Sequence, residues 1–214
     1  DASALDDSVT IGLDNVGAKT GSTVKNASVS MADIENVTLA ASGESYIDLS
    51  DVTGVKNYAV TGEGDLAIAS VASSVRTFDA SEAKGDISAD LTGTANPVTS
   101  ILLGEGNDDV SVSAISKTAK ISGGAGADEV TLEGVTGSYT FEMDDLETLT
   151  VSGLKNTSKL SLSGEDTTGL ETLGVDNLEQ NSQITFGQYV EGSLNVLASG
   201  NNGGKVNLEG LQDV

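Results

Sequence analysis

An internal period constrains this chain more than any other feature. A phrase of the form apolar, polar, Asn/Thr/Ser, apolar, any, apolar begins at Ile34, Val55, Val75, Val98, Leu146 and, in weaker form, Leu170. Neighbouring copies are 21, 20, 23 and 24 residues apart. The interval from Val98 to Leu146 reads as two steps of 24, or as containing a degenerate copy near Ala119-Lys120-Ile121. Each copy alternates with period two over four to six residues, which is strand patterning. A second short strand follows many copies, as at Asp109-Val110-Ser111-Val112, Glu129-Val130-Thr131-Leu132 and Lys159-Leu160-Ser161-Leu162. Gly, Asp, Asn and Ser fill the gaps. No helical stripe of useful length is present, and the nearest candidate, Ala67 to Ala72, reads equally well as strand.

Short strands at a fixed period predict an all-β chain folded as a β-solenoid, parallel β-helix-like or β-roll-like, with coils of about 20–24 residues. Stacked coils lie about 4.8 Å apart and enclose a narrow interior. Such an interior favours Val, Leu, Ile, Ala and small hydroxyl side chains over rings, in keeping with 3% aromatic content. A β-sandwich would also give short strands, but does not require a constant period. The solenoid is expected over residues 34–180, with terminal coils of the same solenoid over 181–214, where 184–186 and 205–208 read as strands. Residues 1–33 read as N-terminal strands (9–13 and 27–31, with a turn at 17–21) of an earlier coil or a docking layer. The chain reads as a piece of a longer protein.

Composition narrows the function. Acidic residues number 33 against 10 basic, a formal charge of −23, and there is no His, Cys or Trp. That balance argues against nucleic acid and against anionic membrane surfaces. No apolar run approaches a membrane span. Without Cys there are no disulfides or thiolate sites, and without His the commonest general base and transition-metal ligand are missing. Acid, glycine and hydroxyl groups remain, and these suit hard cations with oxygen ligands. Without such a cation, disorder competes with folding.

The strongest local signal is Gly123-Gly124-Ala125-Gly126-Ala127-Asp128-Glu129-Val130-Thr131, which fits the calcium-binding nonapeptide G-G-x-G-x-D-x-U-x. Leu103-Gly104-Glu105-Gly106-Asn107-Asp108-Asp109-Val110-Ser111 fits it with Leu103 in place of the first Gly. Asp108 and Asp128 are 20 residues apart, one coil, and so are expected to stack. Glycines permit positive φ and turn carbonyls inward, and the Asp adds carboxylate oxygens. Plain Asp-Gly turns are the competing explanation. Asp65, Asp86, Asp108, Asp128, Asp145 and Asp166 follow one another at 21, 22, 20, 17 and 21 residues. In stacked coils these acids form a rough column, which repels itself unless a cation lies between its members or the side chains splay into solvent. For catalysis the sequence offers only acidic pairs such as Asp144-Asp145 and Asp108-Asp109, and a single Arg, Arg76. The expectation is a protein that is not an enzyme.

The run from Val75-Arg76-Thr77-Phe78-Asp79-Ala80-Ser81 through Gly85-Asp86-Ile87 into the two nonapeptides resembles the RTX-type β-solenoid of bacterial surface-layer (S-layer) proteins and large RTX adhesins. The phrase Leu146-Glu147-Thr148-Leu149-Thr150-Val151 resembles them too. The resemblance implies secretion, folding in external calcium, and self-association into a two-dimensional cell-surface lattice, with cell-surface polysaccharide engaged through another part of the parent. An adhesin segment that binds glycan or protein is the alternative. Carried onto this sequence, the implied Ca²⁺ ligands are Asp108 and Asp128 with backbone oxygens of Gly104, Gly106, Gly124 and Gly126. Asn107 and Asp109, and the acids Asp65 and Asp86 of the neighbouring turns, complete the candidate set. The sequence departs from the RTX pattern at Leu103, in having no long run of nonapeptides, and in coils longer than a strict double nonapeptide. Few calcium sites are therefore expected, with an apolar interior holding most of the fold.

Overall fold

The structure is a computed structural model that describes residues 6–162, 169–186, 194–200 and 203–207. Among those residues, nineteen of twenty-one strands alternate between two parallel sheets. One sheet stacks ten in the order β1 (Ser8–Leu13), β5 (Asn36–Ala41), β7 (Asn57–Gly62), β9 (Thr77–Ala83), β11 (Val98–Leu102), β13 (Ile115–Ser122), β15 (Ser138–Asp144), β17 (Lys159–Leu162), β19 (Gln183–Phe186) and β21 (Lys205–Asn207). The other stacks nine: β4 (Ala27–Ser28), β6 (Ser45–Asp48), β8 (Leu66–Ile68), β10 (Ile87–Leu91), β12 (Asp109–Val112), β14 (Glu129–Glu133), β16 (Thr148–Ser152), β18 (Thr172–Asp176) and β20 (Asn195–Ser199). Successive coils add strands to the two sheets in turn, so the chain is the expected β-solenoid. A hairpin of β2 (Ala18–Thr20) and β3 (Thr23–Lys25) is the one antiparallel pair among the described residues. No helix among them is long and apolar enough to cross a membrane.

Period-two alternation turns one side chain of each pair inward. In the ten-stranded sheet, Val37, Tyr58, Phe78, Ile101, Ile121 and Met143 stack in register and are all buried. In the nine-stranded sheet, Ile47, Ile68, Ala89, Val110, Val130, Leu149 and Leu173 form the matching inward column. The interior is less averse to rings than the composition suggests. Tyr58, Phe78 and Phe141 are among the largest fully buried side chains, so three of the five aromatics whose side chains are described are fully enclosed.

The repeated phrase changes sheets along the chain. Its copies containing Val37, Tyr58, Phe78 and Ile101 lie in the ten-stranded sheet. The copies beginning at Leu146 and Leu170 form β16 and β18 of the other sheet, where Leu149 pairs with Val130 and Leu173 with Leu149. The interval from Val98 to Leu146 is therefore not two whole coils. Ile121 belongs to the degenerate copy, and Met143 is the next residue in its column. The turn expected at 17–21 is the start of the β2–β3 hairpin. This insertion makes the step from Ile11 to its partner Leu39 the longest among the described strands of that sheet.

The stack makes each inward residue a neighbour of its counterparts above and below, so a cavity in one layer is hard to close. Ile121→Ala removes a fully buried side chain held between Ile101 and Met143. Chemical denaturation should show a loss of about 2–5 kcal/mol, whereas Thr118→Ala, on the exposed side of the same strand, should stay within about 0.5 kcal/mol.

Candidate metal centre

The two nonapeptides form consecutive turns on one edge of the solenoid, each joining the ten-stranded sheet to the nine-stranded one. Their glycines are stacking positions. Gly124 and Gly126 have φ of 94° and 148°, and a Cβ on them would collide with the carbonyl oxygens of Gly104 and Gly106. Gly104 and Gly106 sit in the same way against the carbonyls of Ala83 and Gly85. The Gly104 carbonyl does not stand free, because it accepts the Ala125 N–H at 2.8 Å.

The acids form two adjacent columns, not one. In the outer column Asp65, Asp86 and Asn107 each accept a backbone N–H from the next coil: Asp86 N to Asp65 Oδ1 at 3.0 Å, Asn107 N to Asp86 Oδ1 at 2.8 Å, and Ala127 N to Asn107 Oδ1 at 3.0 Å. All three side chains are exposed. In the inner column the direction reverses. Asp108, Asp128 and Glu147 each accept an N–H from the preceding coil: Ile87 N to Asp108 Oδ1 at 2.8 Å, Asp108 N to Asp128 Oδ1 at 2.9 Å, and Asp128 N to Glu147 Oε2 at 2.9 Å. By register these three follow Leu66 and Ile87, so the motif acids occupy positions that are apolar core in earlier coils.

Asp108 and Asp128 are accordingly buried, each 1% exposed. Asp108 is fully engaged, since Gly104 N donates to its Oδ2 at 3.0 Å. Asp128 is not: its Oδ2 is buried and meets no donor. That oxygen points at Gly123, where a Cβ would lie 2.9 Å from it and would collide with the Asp145 carbonyl oxygen. A carboxylate oxygen and a carbonyl oxygen therefore share a recess that only glycine leaves open. Burial pushes the Asp128 carboxyl from its ordinary 3.8 up to about 7; the N–H bond from Asp108 opposes this, and the charges of Asp108, Glu147 and Asp86 add to it. Asp108 is raised by burial, against the N–H bonds from Gly104 and Ile87. Asp109, on the outer sheet face, is raised by desolvation and then by Glu129.

Of the expected ligands, the structure brings together Asp108 and Asp128, with Gly104, Gly106, Gly124 and Gly126 stacked beside them. Asp65, Asp86 and Asn107 belong to the outer column, and Asp109 faces away from the turn interior. Asp145 is not in register with either column: it adopts φ 47° and contributes its carbonyl. Asp166 lies outside the described residues. The sequence reading missed Glu147, whose signal is its spacing of 19 residues from Asp128. Among the described residues no three acidic side chains converge on one point, so a cation at this edge would draw on backbone oxygens as well. The orphaned Asp128 oxygen in its carbonyl-lined recess fits a hard cation. No protein-family model, curated protein or solved structure matches the chain.

The raised Asp128 value makes stability depend on pH. The folded state holds an extra proton between about pH 4 and 7, so the stabilisation is full below the unfolded value and is lost as pH rises through the folded one. Asp128→Asn keeps the acceptor for Asp108 N–H and removes the charge. In chelator at pH 8 the variant should be more stable than the wild type by about 1–3 kcal/mol. At pH 4 the difference should largely vanish. Denaturant titrations at the two pH values measure this, and equal differences at both would mean that Asp128 is not the titrating group.

Proposed function

We propose that this chain is a structural, calcium-stabilised β-solenoid segment of a secreted surface-layer protein that self-associates on the cell exterior. The observation that carries the calcium part is the buried Asp128 Oδ2, which has no N–H donor in a turn matching the RTX nonapeptide. An isolated charge at a former core position is costly. A bound Ca²⁺ would supply the missing countercharge and take oxygens from carboxylate and carbonyl groups alike. Asp128 and the Asp145 carbonyl would hold it, with Asp108 and Glu147 steadying the turn through their N–H bonds. The stacking glycines let successive turns approach closely enough to share that role.

The structural part is supported by the outer faces. Alternation leaves Thr, Ser, Asn, Asp, Glu and a few Lys on the outside of the sheets, and the exposed large hydrophobics among the described residues are Val24 and Leu197. Association through such faces would be ionic, which suits a chain of −23 formal charge whose few basic residues are also on the surface.

Calcium should raise the melting temperature of the wild type, with EGTA reversing the shift. At a calcium level 1,000-fold above Kd the gain is about 4 kcal/mol. Asp128→Asn should lose most of that gain, while Asp65→Asn, in the outer column, should keep it. Electron microscopy of the full-length protein with calcium should show ordered sheets. Isolated molecules that bind cells or glycans would instead identify an adhesin.

A further inference from the structure

The β2–β3 hairpin projects over the outer face of the nine-stranded sheet and roofs a cleft of about 530 Å³. Lys19 and Val24 line it from the hairpin, and Asn26 from just after it. Its floor is the outward row of β6 to β14, where Ala67, Ala69, Ser88 and Ser111 leave room above the backbone. Asp90, Asp109 and Glu133 stand along this floor, on β10, β12 and β14. A smaller adjoining recess adds Glu44, Asp65 and Asp86. Six carboxylates therefore face a single lining ammonium, Lys19. The cleft spans five stacked strands, four steps of about 4.8 Å, or roughly 19 Å.

The same chain carries the complement. Lys117, Lys159 and Lys205 are exposed and sit on β13, β17 and β21 of the ten-stranded sheet, two strands apart each time. Lys159 and Lys205 fall in one register column through Gln183. Lys117 lies beside Gly137, one residue before Ser138, which pairs with Lys159. This row also spans four steps, roughly 19 Å. Cleft and row have the same length because one backbone spacing sets both. Three of only ten basic residues are spent on it.

We infer that the hairpin-roofed acidic cleft of one copy receives the Lys117–Lys159–Lys205 row of a second copy of this chain. The cleft runs from β6 to β14 on one sheet and the row from β13 to β21 on the other, so the two overlap only at the coil of β13 and β14. The contact is thus heterologous and staggered, and repeating it builds an open array instead of a closed dimer. The inference rests on the self-association proposed above and names the surfaces that would carry it.

Charge reversal on the full-length protein tests it, in millimolar calcium, by sedimentation velocity and electron microscopy, with circular dichroism to confirm folding. Lys117→Glu/Lys159→Glu/Lys205→Glu should weaken association at least about tenfold. Asp109→Lys/Glu133→Lys should weaken it as much, although it lowers the net negative charge, so that general repulsion predicts the opposite. Mixing the two folded variants should restore association, because each then meets a complementary surface on the other. Full assembly of the cleft variant alone overturns the contact while leaving self-assembly standing. A wild type that stays monomeric with calcium overturns both.

Discussion

Everything in this molecule follows from the parallel hydrogen-bond ladder that fixes successive coils about 4.8 Å apart. The ladder satisfies the backbone and brings each residue against its counterparts one coil away. For apolar residues this is favourable, and it yields continuous columns such as Val37 to Met143. For acids it is a problem, since like charges directly opposite destabilise a sheet. The chain must therefore do something specific wherever an acid recurs once per coil.

It does two different things. In the outer column the carboxylates of Asp65 and Asp86 stay in water and take an N–H from the coil that follows. High dielectric makes their mutual repulsion small. In the inner column the acids replace Leu66 and Ile87 at the margin of the core, and solvent no longer screens them. Asp108 resolves this with two N–H bonds, one of them from its own glycine turn. Asp128 accepts only one, and so is left with an unpaired oxygen and a carboxyl shifted to about 7. The cost of burying a carboxylate thus falls most heavily on one residue of one turn and not on the whole acidic edge.

Much of the fold was legible in the sequence, because period-two alternation and a nearly constant repeat leave few architectures. The nonapeptides located the turn edge and both buried acids. Two things were not legible, for physical reasons. The first is which sheet a phrase belongs to: both sheets demand the same inward apolar alternation, so Leu146 to Val151 reads like Ile34 to Leu39 although they lie on opposite sides. The second is the split of the acids. Asp108 follows Asp86 at close to one repeat, yet the register sets Ser88 opposite Asp109, so Asn107 and not Asp108 is the counterpart of Asp86. With a side-chain period of two, a slip of one residue moves a side chain from the outer face to the inner one. That single residue separates a solvated acid from a buried one. A repeat whose own length wavers by more than that does not reveal it.

The same rigidity that creates the buried acid also shapes how the molecule can meet others. A stack with one repeat distance presents flat faces on which any recurring side chain forms a straight row. Two such rows, on the same or on different copies, have commensurate spacing whatever residues they carry, so complementarity reduces to the sign of charge at each step. The hairpin insertion breaks this uniformity at one place: it roofs the small-residue floor around Ala67 and Ala69 and so distinguishes one stretch of an otherwise repetitive face. A periodic surface alone could slide by a coil at little cost. A roofed stretch facing a lysine row cannot, and register along the stack is what a repeating fold needs if it is to meet a partner in a single way.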